Sequence, residues 1–152
     1  MSAVVFFDLG DTLVIPRLSD DGSLLGLNVL PFVPDVLAKL NRTKTNDTVL
    51  RLGVISNTGT ETLSKMRSVI AEAGLLDFFD PSLLLFSSVE GIDKRQQQFF
   101  EVARQRAAVP AEHCVYVSED DAERRVAALA KFRTSYHPLH VFHVIDLMAQ
   151  GH

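Results

Sequence analysis

Short apolar runs alternate with longer stretches of helical period along this chain, and that rhythm sets the first expectation. Ala3-Val-Val-Phe-Phe7 is continuously apolar and rich in β-branched and aromatic residues, the pattern of a strand buried on both faces. Leu50–Ile55, Leu83–Phe86 and Cys114–Val117 are runs of the same kind, and Phe132–Tyr136 is a weaker fifth. Helical patterns lie between them. Pro34–Asn41 opens on proline and acid and puts Val36, Leu37 and Leu40 on one face. Thr60–Ala73 stops at Gly74, and Lys94–Ala108 carries Phe99, Phe100, Val102 and Ala103 on one side. Asp120–Lys131 begins acidic, which suits a helix N-terminus. Val141–Gln150 reads as either strand or helix. Strands separated by helices predict a parallel sheet. Val14–Leu30 breaks the rhythm. Its turn signal Ser19-Asp-Asp-Gly22, flanked by Leu18 and Leu24-Leu25, predicts a hairpin or short flap over the end of the first strand.

Composition narrows the class. The length of 152 residues predicts a single domain over 1–152, and 47% apolar with 22% charged residues excludes a disordered chain. The lone cysteine, Cys114, excludes a disulfide framework and a cysteine-based zinc site; mid-strand, it reads as a small buried apolar residue. A net charge of -4 argues against electrostatic binding to nucleic acid or an anionic membrane. The longest uncharged stretch, Gly22–Pro34, is too short to span a bilayer. The N-terminal apolar run ends at Asp8 with no basic region before it, unlike a signal peptide. A soluble, cytoplasmic protein is expected.

In an open parallel sheet, ligands bind beyond the carboxyl ends of the strands. The first strand ends in Asp8-Leu9-Gly10-Asp11-Thr12 and the second in Ser56-Asn57-Thr58-Gly59. Lys94 follows the third at an expected helix start, and the fourth ends in Ser118-Glu119-Asp120-Asp121. A carboxylate, a hydroxyl, an ammonium and an acidic cluster at one edge suit phosphoryl chemistry. A carboxylate can attack phosphorus, hydroxyl and ammonium groups compensate the phosphate oxygens, and acidic groups hold Mg2+.

These segments, in this order, resemble the haloacid dehalogenase (HAD) superfamily. Phe7-Asp8-Leu9-Gly10-Asp11-Thr12-Leu13 resembles its first motif, Asp-x-Asp-x-Thr/Val after an apolar strand, and Val54-Ile55-Ser56-Asn57 resembles its second. Lys94 matches the third-motif lysine, and Val115-Tyr-Val-Ser-Glu119-Asp120 resembles the acidic fourth motif. The resemblance spans residues 3 to 136. It implies a three-layer, Rossmann-like α/β fold, with a parallel sheet of about five strands and helices on both faces. It also implies Mg2+-dependent phosphate-ester hydrolysis through an aspartyl-phosphate on Asp8. The implied roles are catalysis by Asp8 and Lys94, phosphate binding by Thr12, Ser56, Asn57 and Lys94, and metal binding by Asp8, the Gly10 carbonyl, Glu119 and Asp120.

Two departures qualify that picture. Gly10 stands where the superfamily has an aspartate acting as general acid/base, help typically worth ~10²–10⁴-fold. Asp11 is one residue on; in an extended segment its side chain would point the other way. In the fourth motif, Ser118-Glu119 replaces Gly-Asp, and Glu123 and Arg124 fall at the second acidic place. Asp120-Asp121 also reads as a helix-start charge cluster, and Ser56-Asn57 as a turn or cap pair. His137, His140 and His143, at three-residue spacing, would face one way in a helix but read better as scattered tail histidines. The flap, a helix and a strand fill 14–55, and a helix, a strand and their loops fill 58–93, so no cap domain is expected. In the superfamily such open sites take large substrates, phosphorylated macromolecules among them, or are covered by a partner subunit, so an oligomer is one expectation. The alternative is a HAD-like binding or assembly module with little or no catalysis.

Overall fold

A computed structural model describes residues 2–45 and 48–152. In chain order the elements are β1 (Val4–Phe7), β2 (Val14–Leu18), β3 (Leu24–Val29), α1 (Val33–Arg42), β4 (Lys44–Thr45), β5 (Thr48–Val49), β6 (Arg51–Ser56) and α2 (Leu63–Glu72). Then come β7 (Leu84–Phe86), α3 (Ser87–Glu90), α4 (Gln97–Ala107), β8 (Cys114–Val117), α5 (Asp121–Leu129), β9 (Arg133–Ser135) and α6 (Val141–Ala149).

The apolar runs pair as one parallel sheet in the order β7-β6-β1-β8-β9. Alternation along β1 divides its side chains between two cores. Val5 and Phe7 join Leu52, Val54, Val115 and Val117 under α1, α2 and α6. Val4 and Phe6 join Ile55, Leu85, Cys114 and Tyr116 under α4 and α5. Helices therefore cover both faces, and the strands can be apolar throughout. The fold is the expected three-layer α/β arrangement. Gly53 in β6 is held to glycine by close approach: a Cβ there would lie 2.7 Å from the Leu83 carbonyl oxygen and 2.8 Å from the Phe6 ring.

The order has a consequence for the site. From β1 the sheet grows through β6 to β7 on one side and through β8 to β9 on the other. The strand order thus reverses at β1/β8, and a crevice opens beyond their carboxyl ends. Over it stands the expected flap, the antiparallel hairpin β2–β3.

Several boundaries differ from expectation. Thr60 and Glu61 lie in the loop before α2, whose N-cap is Thr62, accepting from the Lys65 N–H at 3.1 Å. Lys94 does not start a helix; α4 begins three residues later. Asp93 accepts from Arg95 N and Gln96 accepts from Asp93 N, so local side-chain bonds hold a turn there instead. Val141–Ala149 is a helix, with Val141, Val144, Ile145 and Met148 buried at helical spacing. The single turn α3 and the small β4–β5 hairpin carry too little apolar pattern to be read from sequence.

Candidate active site

Asp8 follows directly on β1, and its N–H donates to the Val117 carbonyl, so the sheet's own ladder fixes its backbone. The chain then turns sharply. The Leu9 carbonyl accepts from Thr12, Leu13 and Val14 N–H groups, and Asp11 takes a left-handed conformation at φ 62°. The segment is a turn, not an extended run, and Asp11 is exposed. Gly10 needs no glycine: it has no positive φ, and a Cβ there would meet only the Pro16 ring, at 3.7 Å from its Cγ.

The Asp8 carboxylate is 6% exposed. Its Oδ1 accepts from Leu9 N at 2.9 Å and from Lys94 Nζ at 2.7 Å. Its Oδ2 accepts no hydrogen bond from the described residues. Burial raises the Asp8 carboxyl to about 6, the Lys94 ammonium opposing and the Glu123 carboxylate adding to the rise. Lys94, also buried, lies 2.7 Å from both Asp8 Oδ1 and Glu123 Oε1, so one ammonium serves two carboxylates. Its backbone N–H donates to Asn57 Oδ1 at 3.1 Å, so Asn57 ties the Lys94 turn to the end of β6.

Glu123 is the acid that the structure brings to Asp8 and Lys94. It sits in the first turn of α5, where Tyr116 OH donates to its Oε1 at 2.8 Å and Ser118 Oγ at 3.3 Å. Burial and the two carboxylates hold the Tyr116 hydroxyl well above its ordinary range, so it stays a donor. Asp120 is the N-cap of α5, its Oδ1 accepting from Glu123 N at 3.1 Å. Glu119 is exposed, and its N–H donates to Thr12 Oγ1 at 3.2 Å, which joins the turn after β1 to the loop after β8. Ser56 is buried beside Asp8, and its hydroxyl has only a marginal 3.5 Å contact with the Asn57 carbonyl. Of the expected residues, then, Asp8, Lys94, Ser56 and Asn57 converge. Thr12 and Asp120 also serve as internal struts, and Glu119 stands at the rim.

Oxygen ligands suit Mg2+, which keeps several waters. Among the described residues no three His, Cys, Asp or Glu side chains are grouped as a ready-made metal site. Two oxygens are nevertheless left open at the turn after β1: Asp8 Oδ2 and the Gly10 carbonyl, neither of which accepts a hydrogen bond from the described residues. Both are hard oxygen donors, the kind that Mg2+ takes.

Asp8 opens on a cavity of ≈ 570 Å³ between the flap and the 57–61 loop. Pro16, Leu24, Leu27 and Met66 supply apolar wall, and Ser56, Thr58 and Glu61 polar wall. Glu61 Oε1 accepts from Leu24 N at 3.4 Å, linking loop to flap. Away from the site, His140 Nδ1 pairs with Ser135 Oγ and His137 Nδ1 accepts from Leu139 N. Cys114 is fully buried, and burial pushes its thiol up to about 12, so it is inert. The sequence places Glu123 at the second acidic position of the fourth motif but does not show that it pairs with Lys94, a contact made only when α5 packs beside the Lys94 turn. The Asp120-x-x-Glu123 spacing at a helix start, with Tyr116 inside the preceding strand, was the available signal.

No protein-family profile and no curated protein sequence matches the chain. Solved structures do. A HAD-superfamily hydrolase, subfamily IA, variant 1, from Geobacter sulfurreducens is similar over 95% of this chain and 100% of its own, at 13% identity and TM-score 0.70. A HAD phosphatase from Thermococcus onnurineus is similar over 95% and 98%, at 15% identity and TM-score 0.68. A 2-haloacid dehalogenase from Pseudomonas syringae pv. Tomato is similar over 88% and 85%, at 18% identity and TM-score 0.64. The chain has the fold of the HAD-superfamily hydrolases.

Proposed function

We propose that the chain is a phosphate-ester hydrolase that works through an aspartyl-phosphate on Asp8. One observation carries the reading. A buried carboxylate at the end of the central strand lines a cavity of ≈ 570 Å³, with one oxygen fixed by Lys94 and Leu9 N and the other free of hydrogen bonds from the described residues. A phosphate ester seated there meets Asp8 Oδ2 as nucleophile. The new bond joins that oxygen to phosphorus while the ester bond breaks and the alcohol oxygen leaves with its electron pair. Ser56 and Lys94 are the donors at hand for the phosphate oxygens. Water then attacks phosphorus, releases inorganic phosphate and restores the Asp8 carboxylate. With its carboxyl at about 6, Asp8 is ionised at neutral pH. Mg2+, when bound, would offset the repulsion between carboxylate and phosphate, with Asp8, the Gly10 carbonyl, and Asp120 or Glu119 as its holders.

The cavity suits a phosphate ester better than a carbon–halogen substrate. Carbon–halogen displacement favours a dry, enclosed pocket, and this cavity is lined by Asp21 and Glu61. The second reading, a binding module with little turnover, draws on Gly10: no carboxyl stands two residues after Asp8 to protonate a leaving group. A phosphatase screen with and without Mg2+, using Asp8→Asn as blank, separates the two. Mg2+-dependent release of phosphate by the wild type alone supports the enzyme. Equal release by both proteins removes the aspartyl-phosphate mechanism, and none from either supports the binding module.

A further inference from the structure

The cavity has a charge pattern that bears on what leaves. Its lining carries three carboxylates, Asp8, Asp21 and Glu61, and no lysine or arginine. Lys94, the nearest buried cation, is already shared between Asp8 and Glu123 at 2.7 Å each. Asp21 at the flap turn is held as the anion by Ser19 and by Ser23 N. It is exposed, so solvent ions screen it. Glu61 is half-buried, so solvent ions screen it less. The cavity is also a built site. Asp8 and Ser56, each 6% exposed, line it, and Asp8 Oδ2 and the Ser56 hydroxyl have no strong hydrogen-bond partner among the described residues. Beyond them the wall is apolar, through Pro16, Leu24, Leu27 and Met66. Its size falls within the range of small-molecule pockets, roughly 300–1,000 Å³.

We propose that the space between the flap and the 57–61 loop is a leaving-group subsite for small alcohols that bear no negative charge, with ammonium-bearing alcohols preferred. The proposal rests on the phosphatase reading of Asp8 and deepens it. The phosphate end is held at Asp8, Ser56 and Lys94. The organic end packs on the apolar wall and places its polar group towards Glu61. A carboxylate or a second phosphate on that end would face Glu61 and Asp21 with no cation to receive it.

The test uses three phenyl phosphates differing only in a para substituent: aminomethyl, hydroxymethyl or carboxymethyl. The methylene insulates the ring, so leaving-group strength stays nearly matched. The expected order of kcat/KM is aminomethyl, hydroxymethyl, carboxymethyl, with about tenfold or more between the ends. Glu61→Gln should shrink that ratio, as should added salt. Calorimetric titration of the three product phenols onto Asp8→Asn without Mg2+ reads the same preference independently of turnover. Phosphate release with the carboxymethyl ester equal or preferred overturns the subsite proposal and leaves the phosphatase reading intact. No turnover, with phenol binding in the expected order that weakens in Glu61→Gln, overturns the phosphatase reading and with it the leaving-group role, while the charge preference of the cavity stands. A preference that Glu61→Gln does not alter overturns the role of Glu61.

Discussion

Asp8 concentrates the energetics of the site in one side chain. Its carboxyl is raised from 3.8 to about 6, chiefly because burial penalises the ion. A group raised in the folded state contributes stability that is full below its unfolded value and lost as pH rises through the folded one. Asparagine escapes that loss. Asp8→Asn should therefore be more stable than wild type above the folded value of about 6, the gap closing as pH falls towards 3.8. The difference converts to at most about 3 kcal/mol. Thermal melts across this range check it, and a gap independent of pH would mean that Asp8 is not the titrating group. Glu123 contributes to the same rise, so Glu123→Gln should move the acid limb of the pH–rate profile below its wild-type position near 6; an unmoved limb would argue against the coupling. Gly10 is the residue whose replacement should add function. The structure leaves space for a side chain there and imposes no glycine-only conformation. Gly10→Asp should raise turnover of unactivated esters by about 10²-fold, the low end of general acid help. A folded, metal-binding variant that gains nothing would show that another group already supplies the proton.

At the scale of elements, α5 does two things at once. Its N-cap Asp120 holds the first turn, and that turn presents Glu123 to Lys94. Asp120→Ala should cost about 1 kcal/mol through the lost cap, while Asp120→Asn should keep most of it, because asparagine caps as well as aspartate. If Asp120 also holds Mg2+, the Asn variant should lose part of the thermal shift that millimolar Mg2+ gives the wild type. A full shift in Asp120→Asn would assign the carboxylate to capping alone. The sequence made the strands legible because they are buried on both faces and need no alternation to be seen. Helix starts were less legible. Thr60-Glu61 and Lys94 have neighbours that favour a helix, yet Glu61 bonds the flap and Lys94 sits in a turn closed by Asp93 and Gln96. Side-chain bonds of this kind leave no periodic trace.

Across the whole molecule, the sheet order brings together groups that are far apart in sequence. Lys94 meets Asp8 because β1 lies between β6 and β8, so the loops after β6, β7 and β8 converge on the carboxyl end of the central strand. That convergence was readable from strand ends alone. The pairing of Glu123 with Lys94 was not, because it depends on the turn of α5 and on Tyr116 reaching through from β8. The cavity was not readable either. The flap was expected, but the enclosure it makes with the 57–61 loop, and its acidic lining, arise only on folding. The central claim is that Asp8 becomes covalently phosphorylated during turnover. It is tested most directly by acid-quenching the enzyme while it turns over an aryl phosphate and mapping the modified peptide by mass spectrometry. A single phosphoryl group on Asp8, absent from Asp8→Asn, is the predicted result. Sustained turnover with Asp8 unmodified, or turnover undiminished in Asp8→Asn, would contradict it.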